Sequence, residues 1–328
     1  MMLRLLTCFA VTCVTAASVA LHSGLAHAAY PEKPIRIIMP YAAGGSGDII
    51  LRMVQPGLEK RLGQSIVIEY KTGAAGNIGV QEVIKSSADG HTILFGPTNN
   101  FVINQFLFKN LGFDPLQALV PATFVADTPY LLITNDTVPA KTYAEFIAYA
   151  KANPGKLNYG SPGAATVPHL SGYMFSEMMG AQMTHVPYRG SQPSLQALLA
   201  NNIQMLIHSY GLLVPYIASG KIRPLAVGAN ERLKAAPNVP TTTELGIPPG
   251  ILLGNWWALA APKGTDAAIV NRISQDVRSV FSDPELQKKY AEQGWISGGT
   301  TPAETLDRMR QEAPAWKAIV EKTGAKAD

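Results

Sequence analysis

The sequence predicts an α/β protein organised as two lobes, and three observations carry that reading. Short β-branched runs alternate with stretches of helical periodicity along most of the 328 residues, the pattern of strands joined by crossover helices in a parallel sheet. Glycine-rich loops stand three times between a strand and a helix. Strands and helices begin again after Tyr130 and the pattern changes once more near Asn255, with no internal repeat or low-complexity linker between.

The elements follow in order. Ile35–Met39 is a β-branched strand closed by Pro40. After the loop Tyr41–Asp48, residues Ile49, Ile50, Met53, Val54 and Leu58 keep helical spacing to Gly63, with Pro56 expected to kink or split the helix. A strand at Ser65–Glu69, a second glycine loop at Thr72–Gly79, a helix at Val80–Ser86 and a strand at Thr92–Phe95 complete the first run. Tyr130–Thr134 is a strand, and Thr142-Tyr143-Ala144-Glu145 is a capping box opening a helix through Lys151. Leu157–Gly160 is a strand feeding a third small-residue loop, Ser161–Thr166, and a helix to Met179. A helix at Gln192–Asn201 and strands at Met205–Ile207 and Leu225–Gly228 follow. Trp256–Ala261 is strand-like and the remainder mostly helical, with Thr301-Pro302-Ala303-Glu304 a strong helix start.

Residues 1–28 read as a secretory leader. Arg4 is its only charge, Leu5–Leu21 is apolar and small, and Ala26-His27-Ala28 is a cleavage site before Ala29. The stretch is short and weakly flanked for a membrane span. Both cysteines, Cys8 and Cys13, lie in the leader, so the exported chain has no thiol for a disulfide or a metal. It must rely on its core, and a chain of this length can bury roughly three-quarters of its unfolded surface. A hydrophobic content of 47% and a mean hydropathy of +0.09 suit a globular protein. The formal net charge of +4 is scattered, without the concentrated basic patch that nucleic-acid binding requires.

Each glycine loop precedes a helix, where unpaired N–H groups at the positive dipole end favour an anion. Ser46, Thr72, Asn77, Ser161 and Thr166 can add neutral donors, and basic side chains are nearly absent, so geometry rather than charge would select a carboxylate. Tight strand–helix turns alone would also explain any single loop; three together favour a site. A dinucleotide fingerprint fails because Ile50 stands where its third glycine belongs, and a hydrolase elbow around Ser46 fails at Asp48. His91, His169, His185 and His208 lack metal-ligand spacing, so neither metal nor cofactor is expected. A Ser161, His169 and Asp48 triad has no support in spacing, and the chain is read as a non-enzyme, with an exported hydrolase of a carboxylate ester as the competing class.

Several motifs together resemble the Bug family, the periplasmic solute-binding proteins of tripartite tricarboxylate transporters. They are Pro40-Tyr41-Ala42-Ala43-Gly44-Gly45-Ser46-Gly47-Asp48, Gly73-Ala74-Ala75-Gly76-Asn77-Ile78-Gly79, Asp89-Gly90-His91-Thr92 and Pro154-Gly155-Lys156-Leu157-Asn158-Tyr159. His185-Val186-Pro187-Tyr188-Arg189-Gly190, Ser219–Val227, Pro237–Thr241 and Trp256–Pro262 continue the likeness. The resemblance implies a type II periplasmic-binding-protein fold: lobe 1 over 29–130 and 252–328, lobe 2 over 131–251, closing on a ligand in a cleft. It implies periplasmic localisation, action as a monomer, and as partners a large and a small integral membrane subunit, or a sensor kinase ectodomain. Carried over, the ligand contacts are Tyr41, Ala43, Gly44, Ser46, Gly47 and Asp48, with Asp48 also expected to cap its own helix; Ala75 and Asn77; and Ser161, Ala165, Thr166 and His169. Where family members commonly carry Asp after the strand Met205–Ile207, this chain has His208-Ser209-Tyr210, which argues against an amino-acid ligand. With Tyr41, Tyr210 and Trp256 nearby, a terephthalate-like or phthalate-like diacid is the leading expectation, followed by citrate-like and C4 dicarboxylates. The plain alternative is that His208 and Tyr210 simply pack against their lobe.

Overall fold

The computed structural model describes residues 30–248, 251–252 and 254–327; the leader, with its cleavage site and cysteines, lies outside the described residues. In chain order, β1 (Ile35–Met39), α1 (Ser46–Leu62), β2 (Ile66–Tyr70), α2 (Asn77–Ile84) and β3 (Thr92–Pro97) lead to a π-type turn at Asn99–Ile103. Then come β4 (Leu119–Thr128), β5 (Tyr130–Asn135), α3 (Tyr143–Ala152), β6 (Asn158–Ser161), α4 (Val167–Met179), β7 (Thr184–Pro187), α5 (Ser191–Leu199), β8 (Met205–Ser209) and β9 (Ile222–Val227). The chain closes with β10 (Asn255–Pro262), α6 (Ala267–Val280), α7 (Pro284–Glu292), β11 (Ile296–Ser297) and α8 (Pro302–Thr323).

Among the described residues these strands form two sheets, ordered β11-β4-β10-β3-β1-β2 and β7-β6-β8-β5-β9. Both are mixed, not wholly parallel. β1 runs parallel to β2 and β3, and β6 parallel to β7 and β8, as crossover helices require. β10 instead lies antiparallel to β3 and β4, and β5 antiparallel to β8 and β9. The antiparallel strands are the ones flanking the two passages between sheets, β4 to β5 and β9 to β10. There the chain runs beside itself: Asn255 pairs with Thr128, whose hydroxyl donates to the Asn255 carbonyl at 2.5 Å, and Gly228 N–H donates to the Tyr130 carbonyl at 2.8 Å.

Two local expectations change. α1 runs unbroken through Pro56, packed on the core by Ile50, Leu51, Val54 and Leu58. β4, a ten-residue central strand, is hidden in the sequence by Pro121, which lacks a ladder donor. The sheet accommodates it at an irregularity: Pro121 faces Ala260 where the β4–β10 register shifts.

Candidate functional site

The first loop rises from the buried end of β1. Gly45 is the N-cap of α1 and supplies no side-chain bond, so the dipole end of a 17-residue helix opens onto the loop. Asp48 is not that cap. It sits on the third residue of the helix and reaches back, accepting from Gly44 N–H at 2.9 Å, Tyr70 Oη at 2.6 Å and Arg52 Nε at 3.0 Å. Burial would raise its pKa, but those hydrogen bonds and the Arg52 charge hold it below the ordinary carboxylate range. Asp48 is therefore a fixed anion that shapes the loop. Gly47 is required sterically, because a Cβ there would overlap the Trp257 ring. Ala43 and Gly44 are exposed, and Gly44 takes φ +82°.

The second loop is tied to the first: Tyr41 Oη donates to the Ala75 carbonyl at 3.1 Å. Ala75 lies in the left-handed region at φ +50°, a strained choice for alanine. Its carbonyl also accepts from Asn100 Nδ2 at 3.1 Å and Asn104 Nδ2 at 3.0 Å, and Asn104 donates further to Asn77 Oδ1 at 2.6 Å. α2 starts from Gly76, again without a side-chain cap. The Asn99–Ile103 turn thus holds this loop in place. π-type turns recur at functional sites, and Asn99, Asn100 and Asn104 are all buried.

Asn99 reaches the third loop. Its Nδ2 donates to the Ala165 carbonyl at 2.7 Å, and Ala165 is also left-handed, at φ +65°. Thr166, N-cap of α4, turns its hydroxyl to the Gly163 carbonyl at 2.8 Å instead of capping the helix. Ala165 N–H donates to His169 Nδ1 at 3.0 Å, which leaves Nε2 as the ring's donor. His169 stacks on His185, with ring centroids 3.9 Å apart. Burial lowers His169 to about 4, and burial with the neighbouring ring lowers His185 to about 3, so both are neutral near pH 7. Ser161 is fully buried and bonded to His185 Nε2 at 2.7 Å and the Gly163 carbonyl at 2.7 Å. A buried, saturated serine paired with His185 rather than His169 is no nucleophile, and Asp48 is engaged elsewhere.

At the end of β8, Ser209 Oγ meets Ser46 Oγ at 2.7 Å, joining the second sheet to the loop after β1. His208 is buried, lowered to about 4 by burial, and its Nε2 has no partner among the described residues. Tyr210 packs into the core of its own lobe with Leu131, Leu213 and Leu233, and its hydroxyl donates to the Ala235 carbonyl at 2.6 Å. Trp256 also faces inward, against Phe101 and Phe124, with Nε1 donating to Glu312 at 2.8 Å. Its neighbour Trp257 is the ring at the first loop, stacked on Phe95 at 5.3 Å and edge-on to Tyr41 at 6.2 Å, with Nε1 unpartnered among the described residues.

Hydrogen bonds therefore link all three glycine loops into one constellation, presenting helix N-termini and neutral donors. Sequence reasoning misses Asn99, Asn100, Asn104, Ser209, Trp257 and the role of His185. The Pro97-Thr98-Asn99-Asn100 cluster directly after a buried strand is the signal that could have found the asparagines. Among the described residues no group of three His, Cys, Asp or Glu could hold a metal, and no helix is long and apolar enough to cross a membrane.

The profile of the tripartite tricarboxylate transporter family receptor matches residues 50–325. Protein BugT of Bordetella pertussis is 32% identical over 298 residues, covering 90% of this chain and 91% of BugT. A solved R. palustris protein with adipate is 30% identical with a TM-score of 0.85, covering 90% of this chain and 99% of its own. MatC from Rhodopseudomonas palustris with bound malate is 27% identical with a TM-score of 0.81, covering 89% and 100%.

Proposed function

The chain belongs to the tripartite tricarboxylate transporter receptor family, and from that premise we propose that it is an exported receptor capturing a small aliphatic dicarboxylate between two lobes. It is a solute-binding protein of that family, whose members are receptors, not enzymes. The observation carrying the finer reading is the bonding of the three uncapped loops into one constellation through Tyr41, Asn99, Asn100, Asn104 and the Ser46–Ser209 pair. An anion among helix N-termini and neutral donors needs no arginine. Two of the structural relatives carry adipate and malate, which supports a diacid. An aromatic diacid has less support, since Tyr210 and Trp256 are committed to lobe cores, leaving Tyr41 and Trp257.

In this reading lobe 1 comprises 29–130 and 252–328, and lobe 2 comprises 131–251. One carboxylate sits on the first two loops, the other near Ser161–His169, with His208 Nε2 as a further hydrogen-bonding group. Differential affinity for the closed arrangement drives closure, and the closed shape docks on the membrane subunits. Residues 1–28 are removed on export to the periplasm, and the receptor works as a monomer. Isothermal titration, after a thermal-shift screen of C4–C6 diacids, tricarboxylates, aromatic diacids and amino acids, tests it. Micromolar or tighter binding of an aliphatic diacid is the expected result; binding confined to amino acids, or turnover of an ester, refutes it.

A further inference from the structure

About 22 Å along α1 from its N-terminus, at roughly 1.5 Å per residue, the last turn of α1 and one face of α6 line an open depression of about 490 Å³. Asp276 is part of its lining and is only 3% exposed. Both carboxylate oxygens are engaged: Oδ1 accepts from Arg61 Nε at 3.1 Å and Oδ2 from Arg272 Nε at 2.6 Å. Arg272 Nη2 also donates to the Arg61 carbonyl at 3.0 Å. Each guanidinium is thus held by its inner edge while its side chain stays more than two-fifths exposed. Arg278 adds a third to the lining. The acid in its field, Glu304, already caps α8 by accepting from the Thr301 N–H and hydroxyl.

A staple between α1 and α6 needs one arginine for one carboxylate. Here three guanidinium groups share a concave wall with one buried acid, and the surplus like charge favours an incoming anion. The fixed forks of Arg61 and Arg272 suit an ion with two or more oxygens. We propose that this hollow is a second anion site, separate from the one between the lobes, which binds a small oxyanion of the phosphate or carboxylate type. Gln275 and Ser279 complete it as neutral donors.

The test is calorimetric titration of the protein with inorganic phosphate, and in parallel with acetate, at low ionic strength; the tighter of the two identifies the class. Saturable one-to-one binding is expected, weakening as salt is added. Arg278→Gln removes a side chain with no hydrogen bond among the described residues and weakens binding at least tenfold, as does Arg61→Gln. Diacid affinity between the lobes stays unchanged in Arg278→Gln. No saturable uptake, or equal affinity in Arg278→Gln, overturns the proposal.

Discussion

Gly47 offers the sharpest test of how the first loop is built. A Cβ at this position lies 2.7 Å from Trp257 Cζ2 and closer still to Cζ3 and Cη2, all atoms of the outer six-membered ring. That ring cannot withdraw freely, because it stacks on Phe95 at 5.3 Å and Trp257 is 6% exposed. Gly47→Ala must therefore move the ring or tilt the first turn of α1. Overpacking of this kind costs about 1–3 kcal/mol, of which the disturbed aromatic pair accounts for roughly 0.5–1.5 kcal/mol. Trp257→Phe deletes the atoms that clash, so alanine is tolerated in that background. A double-mutant cycle by urea denaturation, followed by far-UV circular dichroism, is expected to give at least about 1 kcal/mol of favourable coupling. In the proposed reading Gly47→Ala alone is also expected to weaken diacid binding, since it shifts the amides of the α1 N-terminus. Additivity within about 0.5 kcal/mol would refute the steric account, because independent sites behave that way.

Asn99→Ala leaves the buried Ala165 carbonyl without its 2.7 Å donor and is expected to destabilise by about 1–3 kcal/mol in the same denaturation assay, whereas Asn99→Gln recovers little because its amide is displaced by a methylene. Ser209→Ala removes the Ser46 contact, worth roughly 0.5–1.5 kcal/mol; if the proposed lobes hinge about it, small-angle scattering reports a more open ligand-free protein, and Ser46→Ala on top should add almost nothing. His208 has a folded pKa of about 4 against an unfolded value near 6.5, so unfolding takes up a proton between them. Its contribution is complete above pH 6.5 and is lost as pH falls towards 4, with a slope approaching about 1.4 kcal/mol per pH unit. His169 and His185, also lowered, act in the same direction, and His208→Gln should flatten the measured pH profile of stability over that window.

The sequence is informative where local chemistry decides and silent where faces and partners do. β1 falls on the predicted residues, and the Thr301–Glu304 capping box forms in full. At Thr142 only half forms, since Glu145 bonds the Lys141 N–H instead of the cap's own. β4 escapes because Pro121 breaks a strand pattern that only its register shift against β10 reconciles. Trp256 and Trp257 are adjacent on one strand, so one must face the core and the other the loop, and composition cannot say which. The three loops are legible as glycine-rich turns before helices. The asparagines that fix them are not, because nothing local to Asn99 points to Ala165, 66 residues away.

The helix starts themselves argue for a site. α3, α6, α7 and α8 each receive a side-chain cap, from Thr142, Asp266, Asp283 and Thr301, a contribution of about 1 kcal/mol apiece. α1, α2 and α4 receive none, and α5, with Gly190 as its N-cap, shares that lack. In α4 the residue chemistry for a cap is present, yet Thr166 spends its hydroxyl on Gly163. α2 and α4 are preceded by left-handed alanines whose carbonyls are held by buried asparagines, so the fold commits polar groups to shaping these loops while leaving the helix ends uncapped. A side-chain cap at these starts would add stability that the fold forgoes. Helix ends left without side-chain caps, joined to one another and placed beside neutral histidines suit an anion, which would supply the acceptors that the side chains do not.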